Sequence, residues 1–207
     1  MILVTGGTGQ IGSRLLLNLT KNKAYKVRAI YRNTQSLEKI RQLFVKHSDS
    51  GAAQFDTIEW IQADLSNIPA LEKAFEGVTF VFHCAGLISF QPQDFDKLIE
   101  VNVQGTANIV NLSIDFGVKK LCYVSSVATL STLPHTPIDE ENDWNNEDNN
   151  TDYAISKHGA EMEVWRGSQE VLPVVIVNPS VVLGGDFADR GSGLLYKKVA
   201  DGLRYYP

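Results

Sequence analysis

Three side chains in the second half of the chain could together move a proton to or from a substrate oxygen. Tyr153 and Lys157 are four residues apart, a spacing that brings a phenol and an ammonium group to one face of a helix. Reduction of a carbonyl group requires a proton for the oxygen, and a nearby positive charge can lower the pKa of a tyrosine from about 10 for that task. A serine hydroxyl can hold the substrate oxygen, and Ser125 and Ser126 precede the pair.

The place of these residues in the chain argues against a chance pair. Tyr-x-x-x-Lys is a common pattern, and a surface pair whose side chains reach water is the alternative interpretation. Here the pattern opens the helix predicted at Tyr153–Glu170, which is the next helix after a strand that leads into the two serines. In an open parallel sheet, chemistry is located at the carboxyl ends of the strands, and this favours a catalytic site.

A glycine-rich run near the start of the chain predicts a site for a dinucleotide pyrophosphate. Its sequence is Thr-Gly-Gly-Thr-Gly-Gln-Ile-Gly, and it lies between a predicted strand and a predicted helix. Gly6 would allow the tight turn, Gly9 would let the phosphates approach, and Gly12 would let the helix pack close to the sheet, with free N–H groups meeting the phosphates. The cofactor-binding residues predicted here are Thr5, Gly6, Gly9, Gln10, Ile11 and Gly12.

The end of the second predicted strand indicates which dinucleotide binds. An NAD site usually has an acidic residue there, which holds the ribose 2′-hydroxyl. This chain has Arg32 instead, and a guanidinium group can pair with a 2′-phosphate and stack on adenine. NADP(H) is therefore favoured, and NAD(H) is the alternative if Arg32 only ends a solvated strand.

These residues are predicted to lie on an α/β fold, a Rossmann-type doubly wound parallel sheet with helices on both faces. Short β-rich runs alternate with helical stretches along the whole chain. The predicted strands are Met1–Thr5, Tyr25–Tyr31, Thr57–Gln62, Val78–Cys84, Leu121–Val124 and Val174–Val177. The predicted helices are Gln10–Thr20, Ser36–Lys46, Ile68–Phe75, Gln93–Phe116 and Tyr153–Glu170. The acidic segment Ile138–Asp152 and the glycine-rich segment Gly184–Gly193 are predicted to be loops, the first of them a candidate lid.

Composition excludes several classes of partner. The chain has 207 residues, 43% of them hydrophobic, and a net charge of −5. An acidic protein lacks the basic face that nucleic acid or an anionic membrane requires, and no apolar run approaches the roughly 20 residues of a membrane span. Cys84 and Cys122 lie in apolar strands and are expected to be free thiols, which fits a cytoplasmic protein. The four histidines lack paired ligand spacing, so no metal site is expected.

The motifs together resemble the extended short-chain dehydrogenase/reductases, also called the NAD-dependent epimerase/dehydratase family. Besides the glycine run, the serines and the Tyr-x-x-x-Lys pattern, they include Ala63-Asp-Leu65, His83-Cys-Ala-Gly86, Asn102-Val-Gln-Gly-Thr106 and Asn178-Pro-Ser180. They occur in family order and cover essentially the whole chain. The Arg32 region and the segment after Val177 look closest to dihydroflavonol-reductase-like members.

The resemblance implies roles for individual residues. Tyr153 would be the general acid/base, and Lys157 would hold the nicotinamide ribose and lower the tyrosine pKa. Ser126 would hold the substrate oxygen, with Ser125 as the alternative. Asn102 would be mainly structural. The remaining cofactor contacts would come from Asp64, Leu65, Cys84, Ala85, Gly86, Pro179 and Ser180.

The function predicted from these observations is NAD(P)-dependent reduction of a carbonyl, or oxidation of an alcohol, on a small organic substrate. A nucleotide-sugar epimerase or dehydratase that keeps NAD bound is the alternative, and a non-catalytic NADP sensor is a third hypothesis. Residues 1–180 would form the dinucleotide-binding domain and residues 181–207 the start of a C-terminal substrate-binding region. Family members are usually much longer than 207 residues, so this substrate lobe is expected to be largely absent. The two long helices would either form a homodimer interface or pack only on their own sheet.

Overall fold

Six parallel strands form the sheet. In the computed structural model, which describes residues 1–131, 137–187 and 193–202, these are β1 (Ile2–Thr5), β2 (Val27–Tyr31), β3 (Glu59–Gln62), β4 (Phe80–His83), β5 (Lys120–Val124) and β6 (Val174–Val177). Their order across the sheet is β3-β2-β1-β4-β5-β6, and each neighbouring pair is parallel. The strand order reverses between β1 and β4, and this is where a doubly wound sheet binds its ligand.

Helices cover both faces of this sheet. They are α1 (Gln10–Leu19), α2 (Thr34–His47), α3 (Gly51–Asp56), α4 (Ile68–Phe75), α5 (Phe95–Leu98), α6 (Gly105–Asp115), α7 (Asp152–Gln169) and α8 (Gly193–Ala200). One core contains Leu16 of α1 and Phe44 of α2, and the other contains Phe75 of α4, Ile109 of α6 and Val164 of α7; all five are at most 1% exposed. Complete burial of such a side chain contributes about 1.5–3 kcal/mol. The prediction of a Rossmann-type sheet covered on both faces is confirmed.

Several elements differ from their predicted bounds. β2 begins at Val27, two residues later than predicted, because Tyr25 lies in a turn and is 50% exposed. β4 is shorter than predicted, and its first residue, Phe80, is 43% exposed, so this strand is less buried than its apolar sequence suggests. α3 was not predicted. It packs tightly on α2 because Gly51 has no side chain: a Cβ there would lie 2.0 Å from the Phe44 carbonyl oxygen.

The long helical stretch predicted at Gln93–Phe116 changes its winding twice. A 3₁₀ turn precedes α5, and a π-helical segment, Ile99–Gln104, joins α5 to α6. Asn102 in that segment is 2% exposed; it accepts from the Leu87 N–H and donates to the Leu87 carbonyl and the Ser156 hydroxyl. Asn102 thus ties the chain after β4 to α7, consistent with the structural role predicted for it.

The described residues of the two predicted loops form no β-strand. Residues 137–151 form neither helix nor strand, and Trp144 stacks on His158 of α7 with ring centroids 4.3 Å apart. The glycine-rich segment contains a 3₁₀ turn, Gly185–Phe187, and α8 begins at Gly193; its residues 188–192 lie outside the described part of the chain. None of the helices in the described ranges has the length and apolar composition needed to cross a bilayer.

Candidate functional site

The glycine run forms a compact turn between β1 and α1. Gly6 adopts a φ of +66°, and a Cβ there would lie 2.6 Å from the Ala85 nitrogen. A Cβ on Gly12 would lie 2.2 Å from the Gly6 carbonyl oxygen, so only glycine lets α1 begin this close to the turn. Gly9 precedes the first residue of α1 and has no side chain to cap it.

This turn suits a pyrophosphate. The first N–H groups of a helix have no partner within the helix and attract anions, and α1 has no acidic residue in its first turn. A Cβ on Gly9 would meet only the Gly6 oxygen, at 3.2 Å, so the outer side of the turn is open to a ligand. The Gln10 amide donates to the Val182 carbonyl, so the segment after β6 lies beside the start of α1. The residues of the turn therefore fit a dinucleotide.

Thr5 has a different environment from the rest of the run. Its side chain is completely buried, with its Oγ1 2.6 Å from Nδ1 of His83. The Ala85 N–H also donates to that oxygen, and the Cys84 N–H donates to the Thr5 carbonyl. The predicted cofactor segment from Cys84 to Gly86 therefore lies against the glycine turn. Burial raises the pKa of the Cys84 thiol to about 12, so this sulfur is neutral at physiological pH.

At the end of β2, Arg32 is exposed and Asn33 caps α2 by accepting from the Ser36 N–H. Asp64 follows the adjacent strand. Hydrogen bonds from Ser66 hold the pKa of that carboxyl group below its usual value, and the charge of Arg32 contributes in the same direction. Leu65 is 8% exposed and packs against Gly105, so only its backbone could contact a cofactor.

The two serines after β5 have different partners. The Ser126 hydroxyl caps the 3₁₀ turn Val127–Thr129 by accepting from the Ala128 N–H at 3.1 Å, and it lowers the pKa of the nearby Tyr153 phenol. The Ser125 hydroxyl donates instead to Glu161 at 2.6 Å. Of the two candidates, the structure therefore brings Ser126, and not Ser125, to the tyrosine.

Tyr153 lies in the first turn of α7, which Thr151 caps by accepting from the Ala154 N–H. Burial raises the pKa of the Tyr153 phenol, and the hydrogen bond with Ser126 lowers it. The ring of Phe90, itself 70% exposed, meets the Tyr153 ring edge-on at 5.8 Å. A neutral phenol with an aromatic neighbour is thus available at this position.

Lys157 is buried against β5. It is 4% exposed, and its ammonium group donates to the Tyr123 hydroxyl at 2.5 Å and to the Val124 carbonyl at 2.9 Å. Burial lowers the pKa of Lys157 to about 7, and the charge of Glu161 opposes this. The sequence prediction had this ammonium lowering the pKa of Tyr153. In the structure, burial dominates that pKa and raises it.

Sequence reasoning missed a buried polar chain behind Lys157. Thr106 lies near the Tyr123 hydroxyl, the Thr106 hydroxyl lies 3.0 Å from Nε2 of His83, and Nδ1 of His83 lies 2.6 Å from Oγ1 of Thr5. Burial lowers the pKa of His83 to about 3, so its ring is neutral. The only signal was a set of polar residues inside apolar runs, and their spacing along the chain does not reveal their contact.

The segment after β6 packs against the turn that follows Ser126. The Val127 N–H donates to the Pro179 carbonyl at 3.0 Å. Ser180 is exposed, and the Asn178 amide donates to Thr129 and to the Ser126 carbonyl. Within residues 1–131, 137–187 and 193–202, the structure contains no group of three His, Cys, Asp or Glu side chains placed to bind a metal ion.

Known proteins are similar to this chain in sequence or in fold. The chain is 30% identical over 186 residues to sterol demethylase protein B from Methylococcus capsulatus, covering 88% of this chain and 51% of that protein. It is 31% identical over 182 residues to a putative dihydroflavonol 4-reductase from Synechocystis, covering 87% and 49%. Among solved structures, UDP-glucuronic acid 4-epimerase from Bacillus cereus in complex with NAD has a TM-score of 0.76 at 21% identity, covering 97% of this chain and 62% of that one.

The chain thus spans about half the length of these curated relatives. The sequence profile of one family, described as the NAD dependent epimerase/dehydratase family, matches residues 2–203. Because the match extends over nearly the whole chain and agrees with the observed fold, the chain belongs to the NAD dependent epimerase/dehydratase family.

Proposed function

We propose that this chain is the cofactor-binding part of an oxidoreductase that reduces a carbonyl group, or oxidises an alcohol, on a small organic substrate. The observation that carries this proposal is that Tyr153 and the buried Lys157 lie one turn apart on α7, with the Ser126 hydroxyl near enough to lower the pKa of the Tyr153 phenol. Residues 1–180 would bind the dinucleotide, and residues 181–207 would begin the substrate-binding region. The putative dihydroflavonol 4-reductase from Synechocystis supports a reductase.

The site residues would divide the work as follows. When bound, the nicotinamide cofactor supplies or accepts the hydride. In the direction of reduction, Ser126 hydrogen-bonds to the carbonyl oxygen and Tyr153 donates its phenolic proton to that oxygen. Burial keeps Tyr153 protonated, which is the form this step requires. Lys157 provides a nearby positive charge when protonated, and this stabilises the phenolate that remains.

Turnover by the chain with NADPH and a panel of ketones and aldehydes tests this proposal. We expect Tyr153→Phe to abolish turnover while the Kd for NADPH, measured by fluorescence, changes less than about twofold, because a phenyl ring keeps the packing and loses only the proton. Activity retained in Tyr153→Phe would refute the mechanism. Tyr25→Phe, which removes an exposed phenol in a turn remote from the site, is the matched control.

We propose NADP(H) as the preferred cofactor, with NAD(H) as the alternative. Arg32 is exposed at the end of β2, and Asn33 rather than an acidic residue follows it. Loss of a charge-assisted hydrogen bond costs about 1.5–3 kcal/mol, so Arg32→Ala should weaken NADPH binding by about tenfold or more and leave NADH binding nearly unchanged. Equal effects on both cofactors would contradict this preference.

An NAD-dependent epimerase acting on nucleotide sugars is the second candidate, supported by the likeness to UDP-glucuronic acid 4-epimerase. Asn178 directly follows β6. Its amide donates to Ser126, Thr129 and Glu161 within the protein, which leaves it poorly placed to hold a sugar. Incubation with UDP-sugars distinguishes the two candidates, since an epimerase forms the epimer without net cofactor turnover. A sensor would bind NADPH and turn over nothing.

For assembly, we propose a homodimer through α7. One face of this helix packs on the sheet through Ala160 and Val164. A second face carries Ile155, Met162 and Trp165, which are 39%, 44% and 46% exposed. Sedimentation of the chain and of Trp165→Glu tests this proposal, because a charge placed in an apolar interface should shift the protein to the monomer.

A further inference from the structure

Glu161 of α7 has an environment that the proposed chemistry does not explain. One of its carboxylate oxygens, Oε2, accepts from the Ser125 hydroxyl at 2.6 Å, the Thr129 hydroxyl at 2.9 Å and the Asn178 amide at 3.2 Å. All three donors are neutral side chains. Three hydrogen bonds hold this carboxylate in one position. Moving or removing it would leave several donors without an acceptor in a partly buried site, which is unfavourable.

Two of these donors also hold the backbone of Ser126. Its carbonyl oxygen accepts from the Thr129 hydroxyl at 2.9 Å and from the Asn178 amide at 3.3 Å. The single hydroxyl proton of Thr129 can serve either that carbonyl or Glu161, and the two amide protons of Asn178 supply the remaining bonds. Ser126 therefore lies between two residues, Ser125 and Thr129, that are both tied to the same carboxylate.

We propose that Glu161 is a positioning residue. It holds the serine turn (residues 125–129) and the residue after β6 against α7, and so sets the distance between Ser126 and Tyr153. This inference rests on the function proposed above for those two residues. The geometry of α7 supports it, because Lys157 and Glu161 are one turn apart on the same helix face and Tyr153 is one turn before Lys157.

Charge gives Glu161 a second effect on the same site. Its negative charge favours the protonated form of Lys157, against the burial that lowers this pKa to about 7. The Tyr123 hydroxyl, the Cys84 thiol and the His83 imidazole near Lys157 are all neutral. The titratable groups that face Lys157 are these three and Glu161. His83 lies at the end of β4, Cys84 follows it, Tyr123 lies on β5, and Glu161 lies on the same helix as Lys157.

Two variants separate this role from a general effect of charge on α7. Glu161→Gln removes the charge with almost no change in size. Glu163→Gln removes the same charge two residues later, where the carboxylate pairs with Arg166 at 2.9 Å and has no contact with the serine turn. If Glu161→Gln does not fold, as judged by circular dichroism, Thr129→Val removes one donor of the same network and takes its place.

The first measurement needs no substrate. Nuclear magnetic resonance of the chain with 13C-labelled lysine and tyrosine follows the titration of Lys157 and Tyr153. We expect the Lys157 midpoint to fall by about one pH unit in Glu161→Gln, and the Tyr153 midpoint to rise as the bond from Ser126 is lost. Ser126→Ala should raise the Tyr153 midpoint by a similar amount, with little further change in the double variant. Unchanged midpoints in Glu161→Gln would overturn the proposal.

The second measurement uses turnover with NADPH and whichever carbonyl compound the panel identifies. Glu161→Gln should lower kcat about tenfold or more, with the Kd for NADPH within about twofold of wild type, and should add little in the Ser126→Ala background. Fully additive effects would overturn the coupling of Glu161 to Ser126. If the midpoints shift as expected but no variant or wild-type chain turns over a carbonyl, the proposed function fails and the positioning role stands.

Discussion

Replacement of Lys157 with Met should stabilise the fold near neutral pH and change the pH dependence of unfolding. Burial lowers the pKa of Lys157 from 10.5 to about 7. Because each pH unit of difference corresponds to about 1.4 kcal/mol, the buried ammonium costs the fold on the order of 5 kcal/mol below pH 7. Loss of its hydrogen bonds to Tyr123 and Val124 offsets about half of that gain, so we expect a net stabilisation of about 2–3 kcal/mol.

The sign of the pH dependence follows from the order of the two pKa values. The folded pKa lies below the unfolded one, so the unfolded chain binds more protons between about pH 7 and 10.5. The free energy of unfolding of the wild type should therefore rise by up to about 1.4 kcal/mol per pH unit above pH 7 from this group, and that rise should be missing in Lys157→Met.

The assay is urea unfolding followed by tryptophan fluorescence at about pH 6.5, 7.5 and 8.5, which span the onset of this window. Higher pH is avoided because burial also raises the pKa of Cys84, Cys122 and Tyr153, and these groups would lower stability there. Lys120→Met, at an exposed position of β5, is the control. Parallel pH curves for wild type and Lys157→Met would refute the reasoning. If Lys157→Met is more stable but binds NADPH more weakly, the buried ammonium group serves cofactor binding at a cost in stability.

Three further predictions concern residues around the site. Gly12→Ala should abolish NADPH binding and lower the free energy of unfolding by about 1–3 kcal/mol, since the new Cβ would lie 2.2 Å from the Gly6 oxygen; normal thermal stability and binding would contradict this. His83→Gln should flatten the loss of stability between pH 6.5 and about 3, because the His83 pKa is lowered to about 3 and the unfolded chain binds the extra proton in that range; acid unfolding measured by circular dichroism tests it. Asp186→Asn should change urea stability by less than about 1 kcal/mol, because its partners Arg14, Lys46 and His47 are partly exposed; a larger loss would mean that these ion pairs hold the segment after β6.

Local sequence signals were sufficient for the six strands and for most of the helices. The alternation of apolar runs and helical spacing predicted all six strands and their parallel arrangement, and the doubly wound parallel sheet was confirmed. The ends of β2 and β4 were less accurate, because apolar residues such as Tyr25 and Phe80 also occur at exposed positions. α3 was not predicted, because the one large apolar side chain that it adds to the core, Phe55, is buried only once Gly51 allows α3 to pack closely on α2.

The site shows a similar division. The types and spacing of Tyr153 and Lys157 were visible in the sequence, but the direction of the ammonium group was not, since Tyr123 lies 34 residues away along the chain. The choice between Ser125 and Ser126 also needed the structure, because it depends on which hydroxyl Glu161 occupies.

The sequence by itself determined the family motifs, the glycine turn and the identity of the candidate acid–base groups, because each depends on residue type and short spacing. Tertiary structure alone decided the partners of those groups: Ser126 meets Tyr153, Glu161 collects three donors, and a buried polar chain leads from Lys157 to Thr5. The physical reason is that hydrogen bonding and burial act through space. They shift a pKa or hold a hydroxyl only after the sheet has brought distant segments to the same edge.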